Sequence, residues 1–206
     1  FGSSRSCRAG PPSSPRKPPR AMPQNFGQTL EEDVEKVLFD AEALRKKCEE
    51  LGAALSADYA GKKPLFVGVI TGAVAFFADL IRSVTIPMEV DFISVSSYGQ
   101  NAVSGELTMR KDVSFDLQDR HVVIVEDIVD TGRTLAMVTE AFKTKGAASV
   151  CICTLLDKKA RRVAPVEVKY IGFDCPDEFV VGYGIDYAER YRNLPYVAAL
   201  KRSVYE

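Results

Sequence analysis

Residues Val122–Leu135 read VVIVEDIVDTGRTL, and this stretch decides the fold. It begins with Val122–Val125, a β-branched run typical of a strand that is buried on both faces. Glu126 and Asp127 then place two adjacent carboxylates at the carboxyl end of that strand, the edge of an open α/β sheet at which ligands bind. Because a buried carboxylate is costly without a partner, we expect a cation or hydroxyl groups to meet this pair.

A turn rich in hydroxyl groups and glycine follows the acidic pair. Residues Asp130–Thr134 supply backbone N–H groups, two threonine hydroxyls and a glycine at which the main chain can approach a ligand closely. Apolar residues then recur at helical spacing from Leu135 to Phe142, so the turn opens onto a helix N-terminus, which attracts anions. One compact loop can therefore hold a sugar by its hydroxyls and a phosphate by its oxygens.

The whole stretch resembles the binding motif for phosphoribosyl pyrophosphate (PRPP) of the type I phosphoribosyltransferases. Four apolar residues, Glu-Asp, two apolar residues and Asp-Thr-Gly-Arg-Thr occur together in that order. The resemblance implies that Glu126 and Asp127 meet the ribose 2′- and 3′-hydroxyls. The implied ligands of the 5′-phosphate are Thr131, Gly132, Arg133 and Thr134. A plain strand–turn–helix connection with solvated acids is the alternative.

Length and composition predict one globular domain with an appended tail. The chain has 206 residues, of which 46% are hydrophobic and 27% charged, enough to bury one core. Residues 1–28 are rich in Ser, Pro and Arg, so we expect a disordered basic tail there. The resemblance implies a phosphoribosyltransferase domain over residues 29–206. The tail fits either an organelle transit peptide or an extension ahead of a start at Met22.

Charge and cysteine usage argue against several classes of protein. The formal net charge is −1, but without the five basic residues among the first 25 the remainder has 22 basic and 28 acidic residues, or −6. A body of that sign is a poor non-specific nucleic-acid binder. Five cysteines without a Cys-x-x-Cys pair favour neither a disulfide framework nor a zinc site, and they indicate a reducing compartment. No apolar run approaches the length of a membrane span.

Further strands and helices are expected along the chain. The predicted strands are Val34–Phe39, Leu65–Ile70, Glu89–Ser96, Ser149–Leu156 and Tyr170–Phe173. Asp40 is predicted to cap a helix that buries Leu44, Cys48, Leu51 and Leu55. A second helix is predicted to bury Val74, Phe77, Ala78 and Ile81. We expect Cys151 and Cys153 in the core, and His121, which has no partner at metal spacing, to be structural.

Two other loops resemble substrate-binding loops of the family. Thr71-Gly72 lies between a strand and a helix, an anion-binding layout, and resembles the pyrophosphate loop. The purine enzymes often carry Lys-Gly there, so backbone amides would have to hold the anion in this chain. Ser97-Tyr98 precedes the polar stretch Gln100–Glu106 and resembles the flexible loop that closes over PRPP in the 6-oxopurine enzymes, which excludes water. A mobile hairpin loop is the alternative.

Recognition of the base is expected in the last quarter of the chain. Lys158 follows a predicted strand, so its amine reaches the same edge as the acids; a solvated basic cluster with Arg161 and Arg162 is the alternative. Phe179 and Val180 lie in a stretch that closely resembles the hood of hypoxanthine-guanine phosphoribosyltransferases. There, such a Phe stacks on the purine ring and the Val offers its backbone carbonyl.

The resemblance runs from about Glu31 to the end and implies an α/β fold of the type I phosphoribosyltransferases. In this fold a mainly parallel central sheet is flanked by helices, with a small hood over the base pocket. The implied reaction transfers the 5-phosphoribosyl group from PRPP to hypoxanthine or guanine, giving IMP or GMP and pyrophosphate. Mg²⁺ is the implied cofactor, with Glu126, Asp127 and Asp186 as candidate ligands.

The resemblance also assigns roles to single residues. Asp130 is the implied general base or acid at the purine N7, and Arg192 reaches the pyrophosphate. Lys158 is expected to read the purine 6-position on chemical grounds, because an ammonium has only donors and a 6-oxo group accepts. The complete set of implied substrate-binding residues is Thr71, Gly72, Ser97, Tyr98, Glu126, Asp127, Asp130, Thr131, Gly132, Arg133, Thr134, Lys158, Phe179, Val180, Asp186 and Arg192.

Other functions stay open at this point. A regulator that keeps the PRPP fold and binds nucleic acid without strong turnover needs a basic face, which a body charge of −6 does not favour. Adenine and orotate transferases share the central loop but need different base pockets. The resemblance further implies a homo-oligomer, a dimer or a tetramer, in the cytoplasm, or in an organelle if the tail is a transit peptide.

Overall fold

A computed structural model of the chain describes residues 29–97 and 107–206. The predicted tail 1–28, Tyr98 and the polar stretch Gln100–Glu106 lie outside these residues. The strands are β1 Val34–Phe39, β2 Leu65–Ile70, β3 Glu89–Ser97, β4 Leu107–Lys111, β5 His121–Val129, β6 Ser149–Asp157, β7 Tyr170–Asp174, β8 Val180–Val181 and β9 Val197–Leu200. The helices are α1 Ala41–Asp58, α2 Val74–Ser83, α3 Arg133–Thr144 and α4 Arg202–Tyr205, and short 3₁₀ turns cover Glu31–Asp33 and Lys159–Arg161.

The central sheet has the strand order β4-β3-β2-β5-β6-β7. All neighbouring strands in it are parallel except β4, which pairs antiparallel with β3 at one edge. Parallel strands are covered on both faces, which explains why β2 and the first half of β5 are continuous apolar runs. The predicted α/β fold with a mainly parallel sheet is confirmed.

Strand β5 shows how the two layers of core are built. Val123 and Val125 contribute to the cluster that lies under α1 and α2, with Leu55 and Phe76 among its members. Val122 and Ile124 belong to the opposite cluster, which α3 covers. Because side chains alternate along a strand, a run of four valine and isoleucine residues supplies both faces equally.

A second, three-stranded sheet with the order β1-β9-β8 forms the hood. Both of its pairings are antiparallel. A small apolar cluster that includes Val181, Tyr191 and Leu200 packs it, and the Tyr191 hydroxyl donates to the Asp33 carboxylate at 2.5 Å. The sequence predicted β1 but not its partner β9. The two strands lie at opposite ends of the domain, so local spacing carries no signal of their pairing.

Most of the helical predictions are confirmed. The Asp40 carboxylate accepts from the Ala43 N–H at 2.8 Å, so it caps α1 as predicted, and the expected face of α1 is buried. The predicted face of α2 is wrong at Val74, which is 46% exposed, whereas Phe76, Phe77 and Leu80 are buried. Val74 is the first residue of α2.

Strand β4 was not predicted, because it is short and two of its five residues are charged. Its residues alternate between partly buried and exposed, and charged side chains are common on edge strands. The cysteine and histidine predictions fit the structure: Cys153 is buried, Cys151 packs beside it, and His121 Nδ1 lies 2.7 Å from the Ser149 hydroxyl. Within residues 29–97 and 107–206, no helix combines the length and apolar character needed to cross a membrane.

Candidate active site

The acidic pair lies inside β5, which runs on to Val129 instead of ending at Val125. Asp127 is only 7% exposed, and its carboxylate accepts from the Ile128 N–H at 2.7 Å. Glu126 Oε2 is buried and has no hydrogen-bond partner among the described residues. The pair therefore sits in a place that disfavours negative charge and leaves an acceptor unsatisfied.

Burial raises the pKa of both carboxyls. For Glu126 burial is the largest cause, and the neighbouring Asp127 charge adds to it, so its pKa is well above the ordinary value. The pKa of Asp127 is also raised by burial, although the Ile128 N–H and the charge of Arg192 partly oppose the shift. A ligand that brings hydroxyl donors or a cation would favour ionisation of the pair.

We expect Glu126→Gln to stabilise the ligand-free, metal-free protein at neutral pH. Since the folded carboxyl keeps its proton to higher pH than the unfolded one, its destabilising effect is absent below the ordinary pKa of 4.5 and grows as the pH rises. Each unit of pKa shift corresponds to about 1.4 kcal/mol of unfolding free energy. Thermal melts from about pH 5 to about pH 8 should therefore show a growing advantage of the variant.

The matched control for this experiment is Glu140→Gln on α3, since that carboxylate is exposed and pairs with Lys143 at the surface. The difference in melting temperature between Glu140→Gln and wild type should not grow in favour of the variant as the pH rises. A Glu126→Gln protein that is less stable than wild type across the whole range would contradict the burial argument.

The turn after β5 forms a small anion-binding cradle. Gly132 adopts φ 79°, in the left-handed region that favours glycine, and α3 starts directly after it without a side-chain cap from that residue. The Arg133 N–H makes a long hydrogen bond of 3.5 Å to the Thr131 hydroxyl, so the N–H groups that follow it in the first turn are the ones available to a ligand. A cavity of about 100 Å³ lies in this turn. Its lining residues are Glu126, Ile128, Val129, Asp130, Thr131, Gly132, Thr134 and Leu135. Of the predicted phosphate ligands, only Arg133 has a side chain that is exposed and does not line the cavity.

Asp130 stands at the entrance of this cradle. One of its carboxylate oxygens, Oδ1, is buried and makes no hydrogen bond, although the Arg161 Nε lies 3.7 Å away. The side chain as a whole remains 39% exposed. Asp130 therefore combines a buried oxygen that makes an ion pair but no hydrogen bond with a side chain that is partly exposed, an arrangement compatible with proton exchange with a ligand.

The predicted pyrophosphate loop packs against the acidic pair and the hood. A Cβ at Gly72 would overlap the Asp127 carboxylate, and a Cβ at Gly184, which has φ 103°, would overlap the Gly72 carbonyl oxygen. Gly184 therefore requires glycine, whereas a side chain at Gly72 would have to displace the Asp127 carboxylate. The Ile70–Thr71 peptide bond is cis, and the Thr71 side chain is exposed.

Arg192 reaches the same corner of the site from the hood. Its Nη1 donates to the Gly184 carbonyl at 2.8 Å, and its Nη2 lies 2.8 Å from Asp186 Oδ1. Asp186 also accepts from the Glu189 N–H at 2.9 Å. In the described part of the chain no three acidic or other metal-binding side chains form a group, so Asp186 is not assembled with the acidic pair.

Lys158 is buried, contrary to the alternative of a solvated basic cluster. Its side chain is 6% exposed, and its ammonium donates to the Glu178 carbonyl at 2.8 Å and lies 3.1 Å from Asp177 Oδ1. Arg162 is also largely covered, at 19% exposure, and only Arg161 is open to solvent. The alternative expected Lys158, Arg161 and Arg162 all to be solvated, but the fold buries Lys158 and largely covers Arg162.

Phe179 and Val180 lie in the hood. The Phe179 ring stacks on Tyr205, with centroids 4.9 Å apart, and meets Tyr187 edge-on at 5.1 Å. Val180 is buried in β8, which pairs with β9. Ser97 ends β3, next to the part of the chain that is not described, and Tyr98 lies outside the described residues.

Comparisons with known proteins agree with this arrangement. The model of the phosphoribosyl transferase domain matches residues 36–188. The chain is 48% identical over 178 residues to the hypoxanthine-guanine phosphoribosyltransferase of Bacillus subtilis, a match that covers 86% of this chain and 99% of that protein. The chain belongs to the phosphoribosyl transferase family.

Solved structures of the family have the same fold. A crystal structure of a hypoxanthine phosphoribosyltransferase from Staphylococcus aureus matches with a TM-score of 0.82 and 44% identity, covering 86% of this chain and 97% of that one. The hypoxanthine phosphoribosyltransferase from Trypanosoma cruzi, in complex with the product IMP, matches with a TM-score of 0.79 and 38% identity, covering 84% and 98%. The predicted membership in the type I phosphoribosyltransferases is thereby confirmed.

Sequence reasoning missed several residues that shape this phosphoribosyltransferase site. Gly184 meets the pyrophosphate loop, Asp177 holds Lys158, and Asp157 pairs with Arg162. Of these three residues, only Asp157 could have been recognised from the sequence. An acid at the end of a buried strand needs a cationic partner nearby.

Proposed function

We propose that this phosphoribosyltransferase transfers the 5-phosphoribosyl group from PRPP to hypoxanthine or guanine and releases pyrophosphate. The observation that carries the proposal is the arrangement at one edge of the sheet. There the acidic pair, the cradle before α3 and the buried ammonium of Lys158 lie at the ends of adjacent strands. The Bacillus subtilis relative is named a hypoxanthine-guanine phosphoribosyltransferase, and the Staphylococcus aureus structure is named a hypoxanthine phosphoribosyltransferase.

The cradle suits the ribose 5-phosphate part of the substrate. Uncapped N–H groups at the start of α3, together with the hydroxyls of Thr131 and Thr134, offer donors to the phosphate oxygens. Glu126 Oε2, the buried acceptor without a partner, suits a ribose hydroxyl. Arg133 has an exposed side chain that does not line the cavity, so any contact it makes with the phosphate is expected through its N–H, which makes a long hydrogen bond of 3.5 Å to the Thr131 hydroxyl.

Mg²⁺ is the cofactor we propose, and the residues present fit it. Mg²⁺ is commonly bound through one or two carboxylates together with substrate phosphates, not by an all-protein cage, and Glu126 with Asp127 supplies such a pair. Asp186, the third ligand that the sequence predicted, is paired with Arg192 and is not grouped with these two carboxylates among the described residues. When bound, the ion would neutralise charge on the pyrophosphate.

The chain's own groups then stabilise the transfer. Arg192 and the N–H groups of Thr71 and Gly72 hold the pyrophosphate as it leaves C1 of the ribose, and a purine nitrogen attacks that carbon through an oxocarbenium-like transition state. The next two N–H groups, of Ala73 and Val74, are bonded to the Val69 and Thr71 carbonyls. Asp130 exchanges the proton at the purine N7. Lys158 donates to the 6-oxo group, Phe179 stacks on the ring, and the Val180 carbonyl meets the base edge.

A turnover assay with PRPP, Mg²⁺ and a panel of bases tests the proposal. We expect IMP and GMP from hypoxanthine and guanine, and no product from adenine or orotate. No product from either 6-oxopurine, combined with tight binding of RNA or DNA, would favour the regulator instead.

Two further expectations stay predictions. The four described cysteines, Cys48, Cys151, Cys153 and Cys175, are free thiols, which supports a reducing compartment such as the cytoplasm. A homo-oligomer, either a dimer or a tetramer, is expected, and light scattering measures it.

A further inference from the structure

Arg162 ties the end of β6 to the end of β5. Its guanidinium forms an ion pair with the carboxylate of Asp157, which is 3% exposed. In addition, Nε donates to the Asp130 carbonyl at 3.2 Å and Nη2 to the Val129 carbonyl at 3.4 Å. One side chain therefore bonds the main chain of the residue that carries the proposed general base.

The segment after Arg162 continues this contact along the phosphate cradle. The N–H groups of Val163 and Ala164 both donate to the Thr131 carbonyl at 3.0 Å. Gly132 packs so closely that a Cβ there would lie 2.9 Å from Arg162 Cδ and 3.1 Å from the Ala164 carbonyl. Residues 162–164 are thus the outer wall of the cradle, while Arg162 does not line the cavity itself.

This tie has a clear physical purpose. The Asp130 carbonyl lies just past the end of β5, where ladder bonding no longer determines its orientation, whereas the Val129 carbonyl also accepts from the Lys158 N–H at 3.0 Å. A planar guanidinium can serve several acceptors at fixed angles, whereas an ammonium is a point charge. Asp157 keeps the guanidinium in place, because both charges are covered and each needs the other.

We propose that Arg162 is a positioning residue for catalysis. Asp157 fixes the guanidinium, and the guanidinium in turn holds the Asp130 backbone and the outer wall of the cradle. This arrangement aims the Asp130 carboxylate at the purine. The inference rests on the proposed function. It assigns Arg162 no contact with substrate. Removal of the Arg162 side chain should lower kcat and kcat/KM for PRPP. It should leave the contacts that Lys158 and the hood make with the base unchanged.

Steady-state kinetics of Arg162→Gln tests this. A misplacement of about 1 Å can cost about 10²-fold in rate, so we expect kcat/KM for PRPP to fall by about that factor. The KM for hypoxanthine should stay within about twofold of wild type, because a residue that acts only through Asp130 and the cradle leaves ground-state binding of the base unchanged. Arg162→Lys should recover little of the loss, since one ammonium does not replace the guanidinium at three acceptors.

The matched control is Lys159→Gln. Lys159 lies on the same turn and also faces Asp157, but at 3.9 Å and with 65% of its side chain exposed. Its kinetic constants should change by no more than about twofold, as for a weak surface ion pair. Asp157→Asn is the second variant, should Arg162→Gln fold poorly; it leaves the guanidinium present but unpaired, and a smaller loss of kcat with an unchanged KM for hypoxanthine is expected.

Three outcomes would overturn the inference. They are an Arg162→Gln enzyme with wild-type kcat/KM for PRPP, an equal rise of KM for both substrates, which indicates general loosening, or full activity of Arg162→Lys. An inactive wild-type protein would instead contradict the proposed function, so the two failures are distinguishable.

Discussion

Asp130→Asn is expected to lower kcat by about 10²- to 10⁴-fold, the range that general acid–base catalysis contributes. The substitution removes a proton acceptor and keeps the shape of the side chain. Since Asp130 Oδ1 makes no hydrogen bond in the described structure, no buried donor loses its partner. The Asp130 carbonyl, which Arg162 holds, is unchanged by the substitution.

The KM for PRPP should therefore change little, and the melting temperature should stay close to that of wild type. Single-turnover measurements separate the chemical step from product release. An Asp130→Asn enzyme with wild-type kcat in such measurements would remove Asp130 from the mechanism.

Lys158→Met is expected to lower kcat/KM for hypoxanthine and guanine by about 10²-fold or more, with little effect on the KM for PRPP. An ammonium has three donors and no acceptor. Two of them are directed at the Glu178 carbonyl and the Asp177 carboxylate within the described structure, which leaves one for a ligand. A 6-oxo group accepts that hydrogen bond, whereas the amino group of adenine would meet it donor to donor.

The same argument predicts discrimination by the wild-type enzyme. A site with a buried donor left unpaired can reject an analogue by about 10⁴-fold or more, so adenine should not be detectably ribosylated. Lys159→Met is the control, because that neighbouring cation is exposed and pairs with Asp174 at 2.6 Å. Efficient use of adenine, or a Lys158→Met enzyme fully active on guanine, would show that Lys158 does not read the base.

Local patterns were sufficient for most elements of the fold. The apolar runs of β2 and β5, the Asp40 cap of α1 and the turn before α3 all depend on residues close together in the chain, so periodicity and capping rules reach them. The predictions failed where residues nearby in the sequence do not determine burial or strand pairing. Val74 has helical spacing to buried residues and is nevertheless exposed, and β4 is a five-residue edge strand with only two apolar residues, Leu107 and Met109.

By itself the sequence determined the family and the order of its motifs, because the acidic pair and the cradle form one continuous stretch, Val122–Leu135. Only the tertiary structure decided which cations are buried and which groups they hold. Lys158 is directed at Glu178 and Arg162 at the backbone of Asp130. These partners lie 20 and 32 residues away, and they meet because parallel pairing places the ends of β5, β6 and β7 at one edge of the sheet, a relation that depends on strand order and not on local spacing.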